Sequence, residues 1–361
     1  MTTPTQHPHS TRRADELHLA TIGAGRIGTN HAELVARRIP GARLAAVADP
    51  SPEAAQRLGA QLGAEATSAE EVFENPDIDG VLITAPARVH TDLVVAAAAA
   101  GKHVFCEKPM AVSLPDADRA IRAAADAGVI LQVGFNRRFA PGFAAARDAI
   151  VRGKVGTPQI LRSLTRDPGP FLGDPMRTPQ WTIFRETLIH DFDALCWLNP
   201  GAAPATVHAF ADALVSPEAR AAGHLDTAVV SIRFDNGAMA TADANFSAAY
   251  GYDVRAEAFG SAGMVTTGSC RATDMTLHDA AGIHAETSRR DTDLLRDAYL
   301  AELQTFADAI RHGSPVGPTG AEARTALSIA VAAIRSIETG APVSISDVLP
   351  ALDGLGSGAI S

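Results

Sequence analysis

The sequence predicts an α/β protein with a doubly wound parallel sheet in its N-terminal half and a largely antiparallel sheet in its second half. From Leu17 to about Val133, short apolar runs alternate with alanine-rich helical stretches, which is typical of repeated βα units. After Gly134 this alternation stops, and runs with a period of two residues follow. The first pattern favours parallel strands and the second favours antiparallel ones.

Each element of the first half has its own signal. Five apolar runs are predicted to be strands: Leu17–Ile22, Leu44–Ala48, Val81–Ile83, His103–Cys106 and Ile130–Val133. Four stretches between them are predicted to be helices: Ile27–Arg38, Pro52–Leu62, Thr91–Ala100 and Leu114–Ala127. Proline occupies the first turn of the second helix, and Gly101 and Gly128 end the last two.

The second half begins with a stretch rich in proline and glycine over residues 167–180, followed by a helix predicted from about Arg185 to Leu198. Three alternating runs are predicted to be strands: Val207–Phe210, Ala228–Phe234 and Ala238–Phe246. The connection Asp235-Asn236-Gly237 is a strong hairpin signal between the last two. Two more helices are predicted: Ala298–His312 and Glu322–Thr339.

Composition excludes several classes of protein. The chain has 361 residues, 46% of them hydrophobic, which suits two ordinary domains with buried cores. A formal charge of −10 gives no field that concentrates phosphate backbones, so we expect no nucleic-acid partner. The longest uncharged apolar runs, Leu93–Ala100 and Ala326–Ile334, are too short to span a bilayer, so we expect a soluble protein with no membrane partner.

Cysteine usage indicates a reducing compartment. Cys106, Cys196 and Cys270 lie far apart and have no CxxC spacing, so neither a disulfide framework nor a zinc cluster is indicated. We therefore expect free thiols, a cytoplasmic location and no metal. Residues 1–16 are polar and are predicted to be a disordered leader, and residues 346–361 are predicted to be a C-terminal tail.

A glycine-rich turn predicts a dinucleotide site. Gly23-Ala24-Gly25-Arg26-Ile27-Gly28 follows the first predicted strand and opens a helix, whose N-terminal N–H groups can bind a pyrophosphate. Asp49 ends the second predicted strand, where a carboxylate accepts hydrogen bonds from a ribose 2′-hydroxyl and repels a 2′-phosphate. NAD is therefore preferred over NADP. Asp49 can also begin a turn or cap the helix at Pro52, and this interpretation is compatible with a ribose contact.

Further motifs carry a family resemblance. They are Thr84-Ala85-Pro86 with His90, Glu107-Lys108-Pro109 after the fourth predicted strand, Gly134-Phe135-Asn136-Arg137-Arg138-Phe139, and Tyr250-Gly251-Tyr252-Asp253. Together with the glycine turn, they resemble the glucose–fructose oxidoreductase / inositol dehydrogenase / rhizopine catabolism (Gfo/Idh/MocA) family, and most of all its inositol 2-dehydrogenase branch. The resemblance extends from Leu17 to about Val343.

The resemblance implies a fold and a cofactor. It implies an NAD-binding Rossmann domain over residues 17–134 and, over residues 135–345, a substrate-binding and oligomerisation α+β domain with a large, mostly antiparallel open sheet. A homodimer or homotetramer is expected through that sheet. The residues expected to contact NAD are Gly23, Gly25, Arg26, Ile27, Gly28, Asp49, Thr84, Ala85, Pro86, His90, Glu107 and Lys108.

The resemblance also implies a catalytic lysine and an acid–histidine pair on one helix. Lys108 matches the lysine, while Glu186 and His190 lie four residues apart, which places both on the same helix face. His190 is expected to be the general base, because oxidation of an alcohol releases the hydroxyl proton and imidazole titrates near neutrality. Lys108 is expected to stabilise the developing alkoxide, and Glu186 to hold a neighbouring hydroxyl or orient the imidazole.

Four further residues are substrate-contact candidates: Arg137, Asp167, Trp181 and Tyr252. For Arg137, Asp167 and Tyr252, a salt bridge or a hydrogen bond at the sheet edge is an equally good interpretation. The sequence departs from the family pattern in several places, among them Glu186, which replaces the usual aspartate, and Trp181-Thr182, which replaces the usual Gly-Gly. Both changes are expected to reshape the pocket.

The predicted activity is NAD-dependent oxidation of a secondary hydroxyl of a cyclic polyol to the ketone, with myo- or scyllo-inositol as the first substrates to consider. Three alternatives remain open. The chain could be a dehydrogenase of a sugar or sugar derivative, a non-catalytic nucleotide-binding sensor, or a glycosidase that oxidises and re-reduces its sugar with bound NAD.

Overall fold

Two β-sheets organise the chain, which the computed structural model describes over residues 16–169 and 180–349. The predicted leader, apart from Glu16, and the predicted tail beyond Leu349 lie outside the described residues. So does most of the stretch rich in proline and glycine. No helix in the described ranges combines the length and the hydropathy that a membrane crossing requires.

The first sheet has six parallel strands in the order β3-β2-β1-β4-β5-β6. The strands are β1 Leu17–Ile22, β2 Ala42–Ala48, β3 Glu65–Thr67, β4 Gly80–Ile83, β5 His103–Cys106 and β6 Leu131–Val133. Every residue of β1 is buried, as expected where helices cover both faces of a parallel sheet. This strand order leaves a crevice at the carboxyl ends of β1 and β4, where folds of this type bind their ligands.

Helices connect these strands. They are α1 Arg26–Arg38, α2 Pro52–Leu62, α3 Ala69–Glu74, α4 His90–Ala99, α5 Leu114–Ala127 and, after β6, α6 Pro141–Val151. The predicted strands and helices of this half are confirmed to within two residues at each end. The short elements β3 and α3 and the helix α6 were not predicted. In β3 and α3 the sequence is largely polar, because most of these positions face solvent and give no hydrophobic periodicity.

The second sheet has seven strands in the order β12-β11-β7-β10-β9-β8-β15, and it is antiparallel except where β7 pairs with β10. Its strands are β7 Pro158–Arg166, β8 Pro204–Asp212, β9 Thr227–Phe234, β10 Met239–Asn245, β11 Asp253–Gly260, β12 Gly263–Ser269 and β15 Val343–Ser344. A separate ribbon pairs β13 Arg271–Asp279 with β14 Gly282–Thr287. The predicted fold class is confirmed, as is the hairpin at Asp235–Gly237, where Gly237 has a φ of 88°.

The predicted helix from Arg185 to Leu198 is divided. A π-helical turn occupies Ile183–Thr187, where the Leu188 N–H donates to the Ile183 carbonyl five residues back, and the α-helix α7 follows over Leu188–Trp197. The remaining helices are α8 Asp291–Leu294, α9 Arg296–His312 and α10 Gly320–Thr339. Glu186 therefore lies in the π-turn and His190 in the α-helix. π-turns of this kind occur frequently at functional sites.

One helix of the second half packs on the first sheet. Leu303, Phe306 and Ala307 of α9 are buried in the same core as Leu19 of β1 and Val47 of β2. The division at residues 134 and 135 stays a prediction, and α9 shows that packing crosses it.

Candidate active site

The glycine turn has the geometry that its three glycines suggest. Gly23 has a φ of 110°, which a residue with a side chain rarely adopts. A Cβ on Gly28 would lie 1.9 Å from the Gly23 carbonyl oxygen, so only glycine lets α1 begin this close to β1. A Cβ on Gly25 would meet no heavy atom of the described chain within 4 Å. The Gly25 backbone is therefore open for the close approach of a ligand.

Asp49 both organises this turn and faces the cleft beside it. Its Oδ2 accepts a hydrogen bond from the Ala24 N–H at 2.7 Å, and its Oδ1 accepts one from the Ser51 N–H at 2.8 Å. The cleft has a volume of about 1090 Å³. The predicted NAD contacts that line it are Gly23, Gly25, Arg26, Ile27, Asp49, Thr84, Ala85 and Pro86. Asp49 therefore begins a turn, as one interpretation of the sequence has it, but the N-cap of α2 is Ser51. The ribose contact of Asp49 stays a prediction.

A second cavity of about 600 Å³ adjoins this cleft, and Arg26, Thr84 and Pro86 line both. All three predicted catalytic residues, Lys108, Glu186 and His190, line the second cavity. Lys108 comes from the carboxyl end of β5, whereas Glu186 and His190 come from the second half of the chain. The fold therefore brings the three together from elements far apart in sequence.

Lys108 is held at both ends. Its backbone N–H donates to Glu107 Oε2 at 3.1 Å, and its Nζ donates to the backbone carbonyl of Glu186 at 3.1 Å. The π-turn thus presents a carbonyl oxygen to the lysine while the Glu186 side chain remains on the cavity wall. The ammonium group is oriented before any substrate binds.

His190 lies at the cavity and has a free ring nitrogen among the described residues. Its ring lies edge-on to Phe135, with centroids 5.9 Å apart, and its buried Nδ1 has no hydrogen-bond partner in the part of the chain that the structure describes. Burial, together with the positive charges of Lys108 and Arg137, lowers the pKa of His190 well below 6.5. The imidazole is therefore neutral at neutral pH.

His90 and Glu107, two predicted cofactor contacts, line the second cavity, but their polar atoms are used within the protein. His90 Nδ1 lies 2.8 Å from the Pro109 carbonyl oxygen and Nε2 lies 2.6 Å from that of Ala85, so the ring joins two loops of the crevice. Glu107 is hydrogen-bonded to His31 and to the Lys108 backbone. Gly28, also a predicted contact, is a packing position.

Two of the substrate-contact candidates have partners within the protein, and their contact with a substrate stays a prediction. Arg137 is buried and pairs with Asp191 at 2.6 Å, and it also donates to Thr165 Oγ1 at 2.6 Å. Trp181 has its indole 6.2 Å from the Phe184 ring, centroid to centroid. Neither side chain is among the described residues that line the cavity. Arg137 is a structural cation because an ion pair compensates its burial.

The other two candidates lie on the cavity wall. Asp167 accepts a hydrogen bond from the Gly169 N–H at 2.9 Å, and burial raises its pKa. Burial also raises the pKa of the Tyr252 phenol. The sequence did not indicate Asp291, which also lines the cavity and pairs with Arg26 at 2.6 Å. These two residues are 265 positions apart, and no local pattern joins them.

Comparisons with known proteins agree with this geometry. A family model described as an oxidoreductase family with an NAD-binding Rossmann fold matches residues 17–135, and the GFO/IDH/MocA C-terminal domain model matches residues 143–266. Myo-inositol 2-dehydrogenase of Thermotoga maritima is 38% identical over 92% of this chain and 100% of that protein. The chain belongs to the GFO/IDH/MocA family.

Other members of the GFO/IDH/MocA family are similar over nearly the whole chain. The scyllo-inositol 2-dehydrogenase (NAD(+)) of Bacillus subtilis is 34% identical over 94% of this chain and 99% of that protein. Among solved structures, scyllo-inositol dehydrogenase from Lactobacillus casei with bound NAD(H) and scyllo-inositol has a TM-score of 0.88 at 27% identity. The aligned region covers 92% of this chain and 99% of the Lactobacillus casei chain. NAD is the cofactor of this GFO/IDH/MocA chain.

Two glycine substitutions separate cofactor binding from folding. We expect Gly25→Ala to change the free energy of unfolding by less than about 0.5 kcal/mol and to weaken NAD binding about tenfold or more, because its Cβ occupies space left for the pyrophosphate. Gly28→Ala should instead cost about 1–3 kcal/mol of stability, because its Cβ meets backbone. Urea unfolding and calorimetric titration with NAD measure both effects. Unchanged NAD affinity in Gly25→Ala would contradict this assignment.

Trp181 occupies the left-handed region, with a φ of 68°, where the family usually has Gly-Gly. We expect Trp181→Gly to be about 1 kcal/mol more stable than Trp181→Ala, because both variants lose the indole contact and only glycine has no Cβ penalty there. Urea unfolding measures the difference. At the exposed helical position Glu338, we expect the opposite order of stability: Glu338→Ala should be more stable than Glu338→Gly. An alanine variant at least as stable as the glycine variant at position 181 would refute the inference.

Proposed function

We propose that this protein oxidises a secondary hydroxyl of inositol to the ketone with NAD as the hydride acceptor. One observation carries the proposal: Lys108, Glu186 and His190 line a single cavity that adjoins the dinucleotide cleft. The relatives named above as inositol 2-dehydrogenases, which align over most of the chain, support the substrate class. Both myo-inositol and scyllo-inositol belong to this substrate class.

The residues of the cleft fit NAD. Gly25 leaves its backbone open, the N-terminus of α1 offers unpaired N–H groups to a pyrophosphate, and Asp49 faces the position expected for a free ribose hydroxyl. When bound, NAD supplies the nicotinamide ring that accepts a hydride. The protein contributes placement of the substrate, removal of the proton and stabilisation of charge.

His190 would act as the general base. An alcohol carbon that loses a hydride must also lose the proton of its hydroxyl group, and the neutral imidazole of His190 can accept that proton. Lys108 would donate a hydrogen bond to the same oxygen as negative charge develops on it. Because its Nζ is already held by the Glu186 carbonyl, little ordering is needed when the substrate binds.

Glu186 would hold a hydroxyl group adjacent to the reacting carbon. Its carboxylate accepts hydrogen bonds only, which suits a ring that carries several hydroxyl donors. Asp167 and Tyr252 line the same cavity and can bind further hydroxyls. The side chains that could contact a polyol therefore include both acceptors and donors.

The charge balance of the cavity favours a neutral substrate. Among the described lining residues, four are basic and four are acidic: Arg26, Arg88, Lys108 and Arg185, and Glu107, Asp167, Glu186 and Asp291. With neither sign in excess, the cavity offers no general attraction for a phosphorylated or strongly cationic substrate. An uncharged polyol meets many hydrogen-bonding groups and pays no cost for burying a charge.

A panel assay tests the proposed function. Purified protein with NAD is expected to produce NADH with myo- or scyllo-inositol at a higher kcat/KM than with neutral pyranoses, and to prefer NAD over NADP. A higher kcat/KM for a pyranose would favour the sugar dehydrogenase. Absence of NADH formation with every cyclic polyol and sugar would contradict a dehydrogenase of this class.

We also propose that the chain forms a homo-oligomer, as a tetramer or dimer, through the second sheet. Met239, Ile160, Phe259 and Met264 are register neighbours across four strands and form one apolar row, with exposed fractions of 58%, 38%, 43% and 53%. An apolar row this long is typical of a surface that a partner covers. A single-chain mass in light scattering would contradict the proposal.

We propose a cytoplasmic location on the basis of the cysteines. Cys106, Cys196 and Cys270 are free thiols, and burial raises the pKa of Cys106 and of Cys196, the latter to about 12. Free thiols persist in a reducing compartment. Recovery of the protein in an extracytoplasmic fraction would contradict this location.

The pH dependence of the reaction reports on His190. A base must be unprotonated to act, so the rate falls only as the pH drops through its pKa. Because that pKa is lowered, we expect the acid limb of kcat/KM to lie below pH 6.5. His190→Asn should lower kcat by about 10²–10⁴-fold, whereas His312→Asn, at an exposed position, should leave the profile unchanged. An acid limb centred above pH 6.5 would contradict this role.

A further inference from the structure

Three buried side chains form a cluster directly behind Lys108. They are His31 of α1, Glu107 at the carboxyl end of β5 and Glu302 of α9, and their ligating atoms all lie within 4.8 Å of one another. Exposed fractions are 0% for His31, 7% for Glu107 and 0% for Glu302. Only Glu107 has a part in the site described above, through its contact with the Lys108 backbone.

A metal ion does not explain this cluster. His31 Nε2 and Glu107 Oε1 are 2.7 Å apart, which is a hydrogen-bond distance. Two ligands of one tetrahedral zinc ion would be separated by about 3.4 Å, given metal–ligand distances of about 2.0–2.1 Å. The pair His31–Glu107 is therefore joined by a proton.

The pKa values of the two carboxyl groups are shifted in opposite directions. Burial alone would raise the pKa of Glu107, but the hydrogen bond from His31 and the charges of His31, Lys108 and His90 outweigh it and lower that pKa. Burial and the negative charge of Glu107 raise the pKa of Glu302 well above its usual range. The pKa of Glu107 is thus lowered and that of Glu302 is raised, so Glu302 is the carboxyl group of the two that retains a proton more readily.

The carboxyl group of Glu302 is unpartnered and has an acceptor nearby. Neither of its carboxyl oxygens has a hydrogen-bond partner among the described residues, although the side chain is completely buried. An unsatisfied buried polar group of this kind is costly. Its backbone carbonyl, by contrast, accepts from Gln132 Nε2 at 2.8 Å, so the helix at this point is anchored. The other carboxyl group of the cluster, that of Glu107, is an acceptor within 4.8 Å of a Glu302 carboxyl oxygen.

The Glu107 carboxylate is hydrogen-bonded to the Lys108 backbone. Glu107 Oε2 accepts the Lys108 backbone N–H, and the glutamate carboxyl group lies against Gly134, where a Cβ would be 3.1 Å from Glu107 Cδ. His31 holds the other oxygen of the same carboxylate. Glu302 comes from α9, and one of its carboxyl oxygens lies within 4.8 Å of the ligating atoms of Glu107 and His31.

We propose that Glu302 is a positioning residue for the proposed oxidation: as a neutral acid it donates a hydrogen bond to the Glu107 carboxylate and so fixes the backbone that carries Lys108. Its place in catalysis rests on the proposed function, because Lys108 is the group that meets the substrate there. Glutamine at position 302 can still donate, and leucine cannot. The two substitutions therefore separate hydrogen-bond donation from packing.

The chain contains three lysines, Lys102, Lys108 and Lys154, so ¹⁵N-lysine labelling gives three backbone amide signals. We expect Glu302→Leu to shift the Lys108 signal, identified by its loss in Lys108→Ala, and to leave those of Lys102 and Lys154 in place. Glu302→Gln and the exposed control Glu338→Gln should leave all three in place. An unmoved Lys108 signal in Glu302→Leu, or an equal shift in Glu302→Gln, would overturn the proposal.

Kinetics test the same role in turnover. Glu302→Leu should lower kcat about tenfold or more, and Glu302→Gln should stay within about threefold of the parent. In the Lys108→Ala background, Glu302→Leu should change kcat less than about twofold, because it acts through the lysine. An equal loss in both backgrounds would show a merely structural role. If the parent oxidises no polyol, the proposed function fails, while the lysine spectrum still decides the contact between Glu302 and Glu107.

Discussion

Two neighbouring buried ion pairs hold the helix of His190 against the rest of the molecule. Arg137 pairs with Asp191 at 2.6 Å and Arg138 pairs with Asp193 at 2.5 Å, and all four side chains are nearly inaccessible to solvent. Arg138 also bonds Glu322 at the start of α10. Loss of one partner from a buried pair costs about 3–5 kcal/mol, because the remaining charge stays buried. The position of α7 relative to the first sheet depends on this arrangement.

The same arrangement determines the chemistry of the cavity. Lys108 comes from the first sheet and His190 from the second half, so their common cavity exists only while the two halves stay in register. The charges of Arg137 and Lys108, added to burial, keep His190 neutral and able to accept a proton. Arg137 thus holds the helix of His190 through Asp191 and also lowers the pKa of His190. A structural ion pair and the protonation state of the proposed base therefore depend on the same residue.

Much of the fold and part of the site followed from local patterns. Buried strands, glycine helix ends and the Asp235–Gly237 hairpin leave clear signals because each depends on residues within a few positions. Strands β7 and β11 to β15 were not predicted. In β11 buried and exposed residues alternate, but the buried ones include two alanines and a glycine, which give a weak apolar signal. The packing of α9 on the first sheet had no signal either, because an amphipathic helix does not encode which surface it covers.

The sequence by itself determined the glycine turn, the acidic residue after β2 and the four-residue spacing of Glu186 and His190, because each is a short-range requirement of backbone geometry. Only the tertiary structure decided which charges face the cavity. It turned Arg137 towards Asp191, paired Arg26 with Asp291 and buried Glu302 beside Glu107. Burial and long-range pairing decide the role of a charged side chain, and neither is a property of its neighbours in sequence.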